Sequence, residues 1–213
     1  MRITLVYDND LSTDGLKNDW GLSLLIEREG VPRMLFDTGA NGRTLLFNLA
    51  RLDISPRSIQ DVFLSHSHWD HTGGLADLFE KNPDFNLYMP PDFIPPIEMK
   101  KVRKLTEPVH IHDGFYSTGW IGNVEQSLLI RTDRGIVVLT GCSHCGVENI
   151  LEEASRLGDV YGLIGGLHGF RDFSVLKDLA MICACHCTEH KSELKSLFPE
   201  KWIDGGAGRV IAL

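Results

Sequence analysis

Long apolar stretches are missing from this chain. No run reaches the ~18 residues that would span a bilayer, so no membrane segment is expected. The N-terminus has no apolar core and small-residue cleavage site of the kind a secretory signal carries. Met1-Arg2-Ile3-Thr4-Leu5-Val6-Tyr7 reads directly as a strand, and the expected location is cytoplasmic. Positive charge is in short supply: 21 Lys and Arg stand against 29 Asp and Glu, a net charge of −8. That argues against a nucleic-acid partner, which needs a basic face. Cysteine is confined to five residues, all between Cys142 and Cys187. A disulfide framework is usually even in number and spread along the chain, so reduced thiols are expected. Cys142-x-x-Cys145 and Cys183-x-Cys185-x-Cys187 have spacings compatible with a structural zinc site. Each cluster also encloses a histidine, His144 and His186, so both can instead line one metal pocket.

Metal-ligand side chains, by contrast, are concentrated. Ser65-His66-Ser67-His68-Trp69-Asp70-His71 packs four of them into six residues, after the apolar Val62-Phe63-Leu64 and before a Gly73-Gly74 pair. Imidazole nitrogens and a carboxylate suit zinc, iron or manganese. In extended chain, His66 and His68 point the same way. Asp70 and His71, on the following turn, can face a second ion. One short loop is thus able to hold two metals close together, the arrangement that generates a bridging hydroxide.

The 213 residues suit a single domain spanning 1–213. Short apolar runs between turn signals place strands near 3–7, 21–28, 33–37, 61–65 and 85–89, with helices at about 42–52 and 73–81. The second half repeats this layout. Ser23-Leu24-Leu25-Ile26 is echoed by Ser127-Leu128-Leu129-Ile130, and Phe36-Asp37-Thr38-Gly39 by Leu139-Thr140-Gly141-Cys142. A helix at about 146–157 and a strand at 160–164 follow, then a helix near 172–181, a buried strand at 181–185, a helix near 190–197 and a closing strand at 208–213. A duplication of this kind predicts two sheets packed face to face with helices outside, an α/β sandwich of two similar halves. Its histidine-bearing strand ends would gather at one edge.

Between Met89 and Lys104, Pro90-Pro91 and Pro95-Pro96 oppose regular structure. Lys100, Lys101, Arg103 and Lys104 form a basic run there, read either as a solvated face or as a lid steering an anionic substrate.

The His-x-His-x-Asp-His loop followed by Thr72-Gly73-Gly74, the duplicated sandwich and the late histidines together resemble the metallo-β-lactamase superfamily. The resemblance implies a four-layer αββα fold and a mono- or dinuclear metal site. His66 and His68 would ligate the first ion with a later histidine, and Asp70 and His71 the second with a last histidine. Thr140-Gly141-Cys142-Ser143-His144, Gly165-Gly166-Leu167-His168 and Cys185-His186-Cys187-Thr188 look like the subgroup named for dihydropterin–ribofuranosylaminobenzene-phosphate synthase.

The chain departs from the common superfamily pattern twice. The usual Gly-His-Thr-x-Gly histidine between the halves is absent, and His110 and His112 lie near its place in unmatched surroundings. Cys142 stands where a bridging aspartate is expected, as a thiolate ligand, a supporting thiol or a packed residue. His144 is therefore the choice for the third histidine of the first site, and His186 holds the position of the last histidine. His168 is read as a proton donor, a substrate contact or a structural histidine. Asp37 either orients an imidazole or caps the helix near Gly42.

The implied activity is metal-dependent hydrolysis of a small anionic ester or phosphoester, with two divalent ions, zinc first and iron or manganese next. Asp70 would orient the water and His168 protonate the leaving group. A transferase joining a dihydropterin diphosphate to an aminobenzene ribose phosphate is the alternative within the same chemistry. A non-catalytic metal or redox sensor is the alternative outside it.

Overall fold

The computed structural model describes residues 1–213. The first half runs β1 (Arg2–Tyr7), β2 (Ser23–Glu27), β3 (Met34–Phe36), α1 (Gly42–Arg51), β4 (Asp61–Phe63), α2 (Trp69–Thr72), α3 (Leu75–Lys81), β5 (Asn86–Met89) and β6 (Val102–Lys104). The second runs β7 (Val109–His112), β8 (Phe115–Ser117), β9 (Leu128–Thr132), β10 (Gly135–Thr140), α4 (Val147–Ser155), β11 (Val160–Gly166), β12 (Met181–Cys185), α5 (Lys191–Leu197) and β13 (Val210–Ala212). One sheet has the order β13-β1-β2-β3-β4-β5-β6, the other β12-β11-β10-β9-β8-β7.

The two halves share a pairing scheme as well as an order of elements. β2 and β3 are antiparallel and β4 joins β3 in parallel, just as β9 and β10 are antiparallel and β11 joins β10 in parallel. Side-chain alternation then decides the layers. Leu24 and Ile26 of β2, with Phe36, Phe63, Leu128, Ile130, Val137 and Leu139, fill the space between the sheets. Leu25, Leu35 and Val62 point the other way, against Leu45, Leu49, Leu75 and Leu78 of α1 and α3. Leu129, Val138 and Leu163 meet Val147 and Ile150 of α4 on the opposite outer face. Strands covered on both faces read as continuous apolar runs. The result is a four-layer αββα sandwich.

Several local expectations change. The segment 172–181 forms only a short 3-10 turn, Phe173–Leu176, before the chain enters β12 at Met181. The helix expected over 73–81 forms as α3, and an additional short turn, α2, precedes it and carries Asp70 and His71. Asp37 does not cap α1; Asn41 does, accepting the backbone N–H groups of Arg43 and Thr44. The proline-rich stretch ends in a regular edge strand, β6, whose three residues are all exposed. Lys101 and Lys104 donate from Nζ to the carbonyls of Asp84 and Pro91, which supports the solvated-face reading of the basic run over a lid. Lysines on an edge also discourage pairing with another chain. No helix is long and apolar enough to cross a membrane.

Candidate metal centre

Strand direction brings the polar residues together. β1, β3, β4, β10, β11 and β12 all end, and β2 and β9 begin, along one rim of the sandwich. Open α/β sheets bind ligands beyond the carboxyl ends of their strands for this reason. Four non-glycine residues at or just beyond those ends have left-handed backbones: Asp37 (φ 56°), Ser143 (φ 60°), His168 (φ 46°) and His186 (φ 49°). Each such residue costs on the order of 1–3 kcal/mol, and strain of this kind collects at functional sites.

Four overlapping groups of ligand atoms result, two of them without a cysteine. The ligand atoms of His66, His68 and His144 lie within 4.8 Å of one another, as do those of Asp70, His71 and His186. The rings of His66 and His71 are 4.2 Å apart, so the clusters adjoin. His110 and His112 are elsewhere, on β7, where His112 Nε2 meets the buried Asp61 Oδ2 at 2.5 Å. His168 sits on the rim with its ring 5.1 Å from that of His144 and its side chain 53% exposed.

Three of the imidazoles are held from behind. Asp37 Oδ2 lies 2.7 Å from His71 Nδ1, and the same carboxylate accepts the N–H and hydroxyl of Ser65. Having given its one proton to Asp37, Ser65 Oγ can only accept from His66 Nδ1–H, 2.8 Å away. Asn9 Oδ1, which already accepts the N–H of Gly21, accepts from His186 Nδ1–H at 3.0 Å. These contacts leave the Nε2 lone pairs of His66 and His186 facing the shared space, the arrangement that metal-binding histidines need. His144 Nε2 and His186 Nε2 are buried without a hydrogen-bond partner, although Asp70 Oδ2 stands 3.4 Å from His186 Nε2. Orphaned nitrogens are costly unless something binds them, so the residues present fit a cation.

The charge balance points the same way. Burial pushes His66, His71 and His144 below the usual histidine range and so keeps them neutral, the form that binds metal. Burial likewise pushes Asp37 well above the usual carboxylate range, the mark of a carboxylate lacking a positive partner. Asp70 behaves oppositely: burial raises it, but His186 and His71 outweigh burial and hold its carboxyl below the usual range. Trp20 Nε1–H donates to Asp70 Oδ2 at 2.9 Å and fixes that oxygen.

Three supports went unread in the sequence. Glu125, fully buried just before β9, accepts the backbone N–H groups of Gly141, Cys142, Ser143 and His144. Asp8, also fully buried, accepts the N–H groups of His186 and Gly206. Asn9 and Asp8 follow β1, and a polar pair ending a buried strand was the available signal for them. For Glu125, which lies in a loop of mixed composition, there was none. Cys142 Sγ lies 3.2 Å from His71 Nε2, so it faces the centre.

A sandwich of this topology, with a His-x-His-x-Asp-His loop on its rim, is what the family comparison describes: residues 21–157 match the metallo-beta-lactamase superfamily, and the chain belongs to it. Among curated relatives it is 29% identical to the 7,8-dihydropterin-6-methyl-4-(beta-D-ribofuranosyl)-aminobenzene-5'-phosphate synthase of Methanocaldococcus jannaschii, covering 90% of this chain and 89% of that protein. Among solved structures it superposes on Tm1679, described as a metal-dependent hydrolase of the beta-lactamase superfamily, with a TM-score of 0.82 and 23% identity. That match covers 100% of this chain and 99% of the other. Zn(2+)-bound PqqB from Methylobacterium extorquens matches with a TM-score of 0.65 and 15% identity over the full length of both. At such identities the structural likenesses speak for the fold.

Proposed function

We propose that this protein is a metal-dependent hydrolase of a small anionic ester or phosphoester. His66, His68 and His144 would hold one divalent ion and Asp70, His71 and His186 a second, with zinc the first candidate for a set of nitrogens and one carboxylate. The observation that carries this reading is the pair of adjoining ligand clusters with orphaned, buried Nε2 atoms on His144 and His186. Ions bound there would supply an acidified water and offset charge developing on the substrate.

The chain's own residues do the rest. Asp37 and Ser65 hold His71 and His66 by their Nδ1 atoms, and Asn9 does the same for His186. Trp20 keeps Asp70 turned toward the clusters. His168, half exposed on the rim, would hand a proton from its ring to a leaving group. A single domain over 1–213 would carry all of these groups.

A second reading, transfer of a dihydropterin unit from its diphosphate to an aminobenzene ribose phosphate, is supported by the extent of the likeness to the Methanocaldococcus synthase. The two are separated by incubating zinc-loaded protein with a dihydropterin diphosphate, alone and with the acceptor, beside a panel of phosphodiesters and carboxylic esters. Hydrolysis without acceptor supports the first reading. Diphosphate release that requires acceptor supports the second. Absence of bound metal in protein prepared without chelator, with no reconstitution, would sink both.

A further inference from the structure

Two thiols meet beside this centre without a part in the proposed ligand set. Cys142 Sγ lies 3.3 Å from Cys187 Sγ, and both are free and buried. They arrive on separate loops, one after β10 and one after β12. Room for the Cys187 sulfur exists because residue 166 is glycine, where a Cβ would stand 2.6 Å from it. The sulfurs share their space with the orphaned His186 Nε2, since the ligand atoms of Cys142, His186 and Cys187 all lie within 4.8 Å of one another.

We propose that Cys142 and Cys187 are a redox pair, closed to a disulfide by peroxide, and that this disulfide and a cation at the His71–His186 position exclude one another. The exclusion rests on the metal reading above; the sulfur chemistry does not. A disulfide needs its sulfurs about 2.05 Å apart, so the two must approach by roughly 1.3 Å from their present 3.3 Å. One thiol gives up its proton as its sulfur attacks hydrogen peroxide, the sulfur takes up OH, and the departing hydroxide takes that proton to become water. The second thiol's sulfur then displaces that OH as hydroxide, forming the S–S bond, and its own proton passes to the hydroxide to release a second water. Two thiols are oxidised by two electrons in all, and one peroxide is reduced to two waters.

A cation held by His71 Nε2 would lie against the Cys142 sulfur, 3.2 Å from that nitrogen, so cation and disulfide make opposite demands on Cys142. Reduced, its sulfur touches His71 Nε2 and faces the cluster. Oxidised, it is neutral and drawn toward Cys187, away from the imidazole. The other cysteines are placed differently: Cys183 and Cys185 also meet side chain to side chain, but on one strand in the core between the sheets, and Cys145 packs beside Gly122.

The test treats chelator-stripped and zinc-loaded protein with hydrogen peroxide, counts thiols and maps linkages by non-reducing peptide mass spectrometry. Five thiols should fall to three, with a Cys142–Cys187 linkage that dithiothreitol reverses. Zinc-loaded protein should react at least ~10-fold more slowly, the scale on which changes around a metal alter its affinity. The oxidised protein should bind one metal equivalent fewer. Cys187→Ser should gain oxygen on Cys142 in place of losing two hydrogens. Retention of all five thiols, or a linkage between other cysteines, overturns the redox pair. Equal rates and equal metal content in both states overturn the exclusion alone. Failure to bind metal in any state overturns the exclusion together with the proposed function, while the thiol count still decides the sulfur chemistry.

Discussion

Asp37 and His71 are joined at 2.7 Å, both fully buried, and through Ser65 the same carboxylate also reaches His66. One side chain therefore aims an imidazole of each cluster. Asp37→Asn keeps the left-handed backbone, which Asn tolerates, but weakens the grip on His71 Nδ1. Metal affinity should fall by ~10–100-fold while the fold persists. Competition with a chromophoric chelator measures it, and an unchanged affinity in the folded variant would refute the orienting role.

Glu125 gathers four consecutive backbone N–H groups of the 141–144 loop. Truncation to Ala strands those donors in a buried place, at about 1–3 kcal/mol each before water refills part of the space. A net loss of about 3–5 kcal/mol is expected, and at about 2–4 °C per kcal/mol for a chain this size the Tm should fall by roughly 6–20 °C. Urea unfolding checks it; a loss under about 1 kcal/mol would mean that the loop holds itself.

The rim site was legible because the repeat pattern says which strands run parallel, and parallel strands deliver their ends to one edge. The gathering of histidine-bearing strand ends follows from that, while the choice of His144 and His186 as ligands rests on the likeness to the superfamily. The groups behind them were not legible, because what binds Asp37, Asn9 or Glu125 to its partner is long-range pairing across 34, 177 or 16 to 19 positions. Strands β7 and β8 also escaped notice. β7 holds only exposed and half-buried residues, such as His110 and His112, and β8 is three residues with a polar serine at its end, so neither has the apolar run that marked the covered strands.

Burial holds His66, His71 and His144 below the ordinary imidazole value of ~6.5. The unfolded chain therefore binds more protons at these positions than the folded one. Their contribution to stability is complete above ~6.5 and drains as pH falls through that value toward their folded values. In metal-free protein, the ring nitrogen signals of His66 and His71 should show no titration step near 6.5. A step there would show that these rings are solvated.

His144 and His112 make opposite predictions. His144 reaches His66 and His68 with a buried, unpartnered Nε2, while His112 spends its Nε2 on Asp61 at the far side of the sandwich. His144→Ala should lose one metal equivalent and turnover with little change in unfolding free energy, because the His144 ring holds nothing else in place. The double change His110→Ala with His112→Ala should keep full metal content. It should cost stability, on the order of 3–5 kcal/mol for a buried carboxylate left without its partner, softened by the hydrogen bond Asn86 gives Asp61. Metal analysis and urea unfolding of the two variants side by side decide the matter. Metal retained by the first and lost by the second would place the third ligand of that cluster on β7.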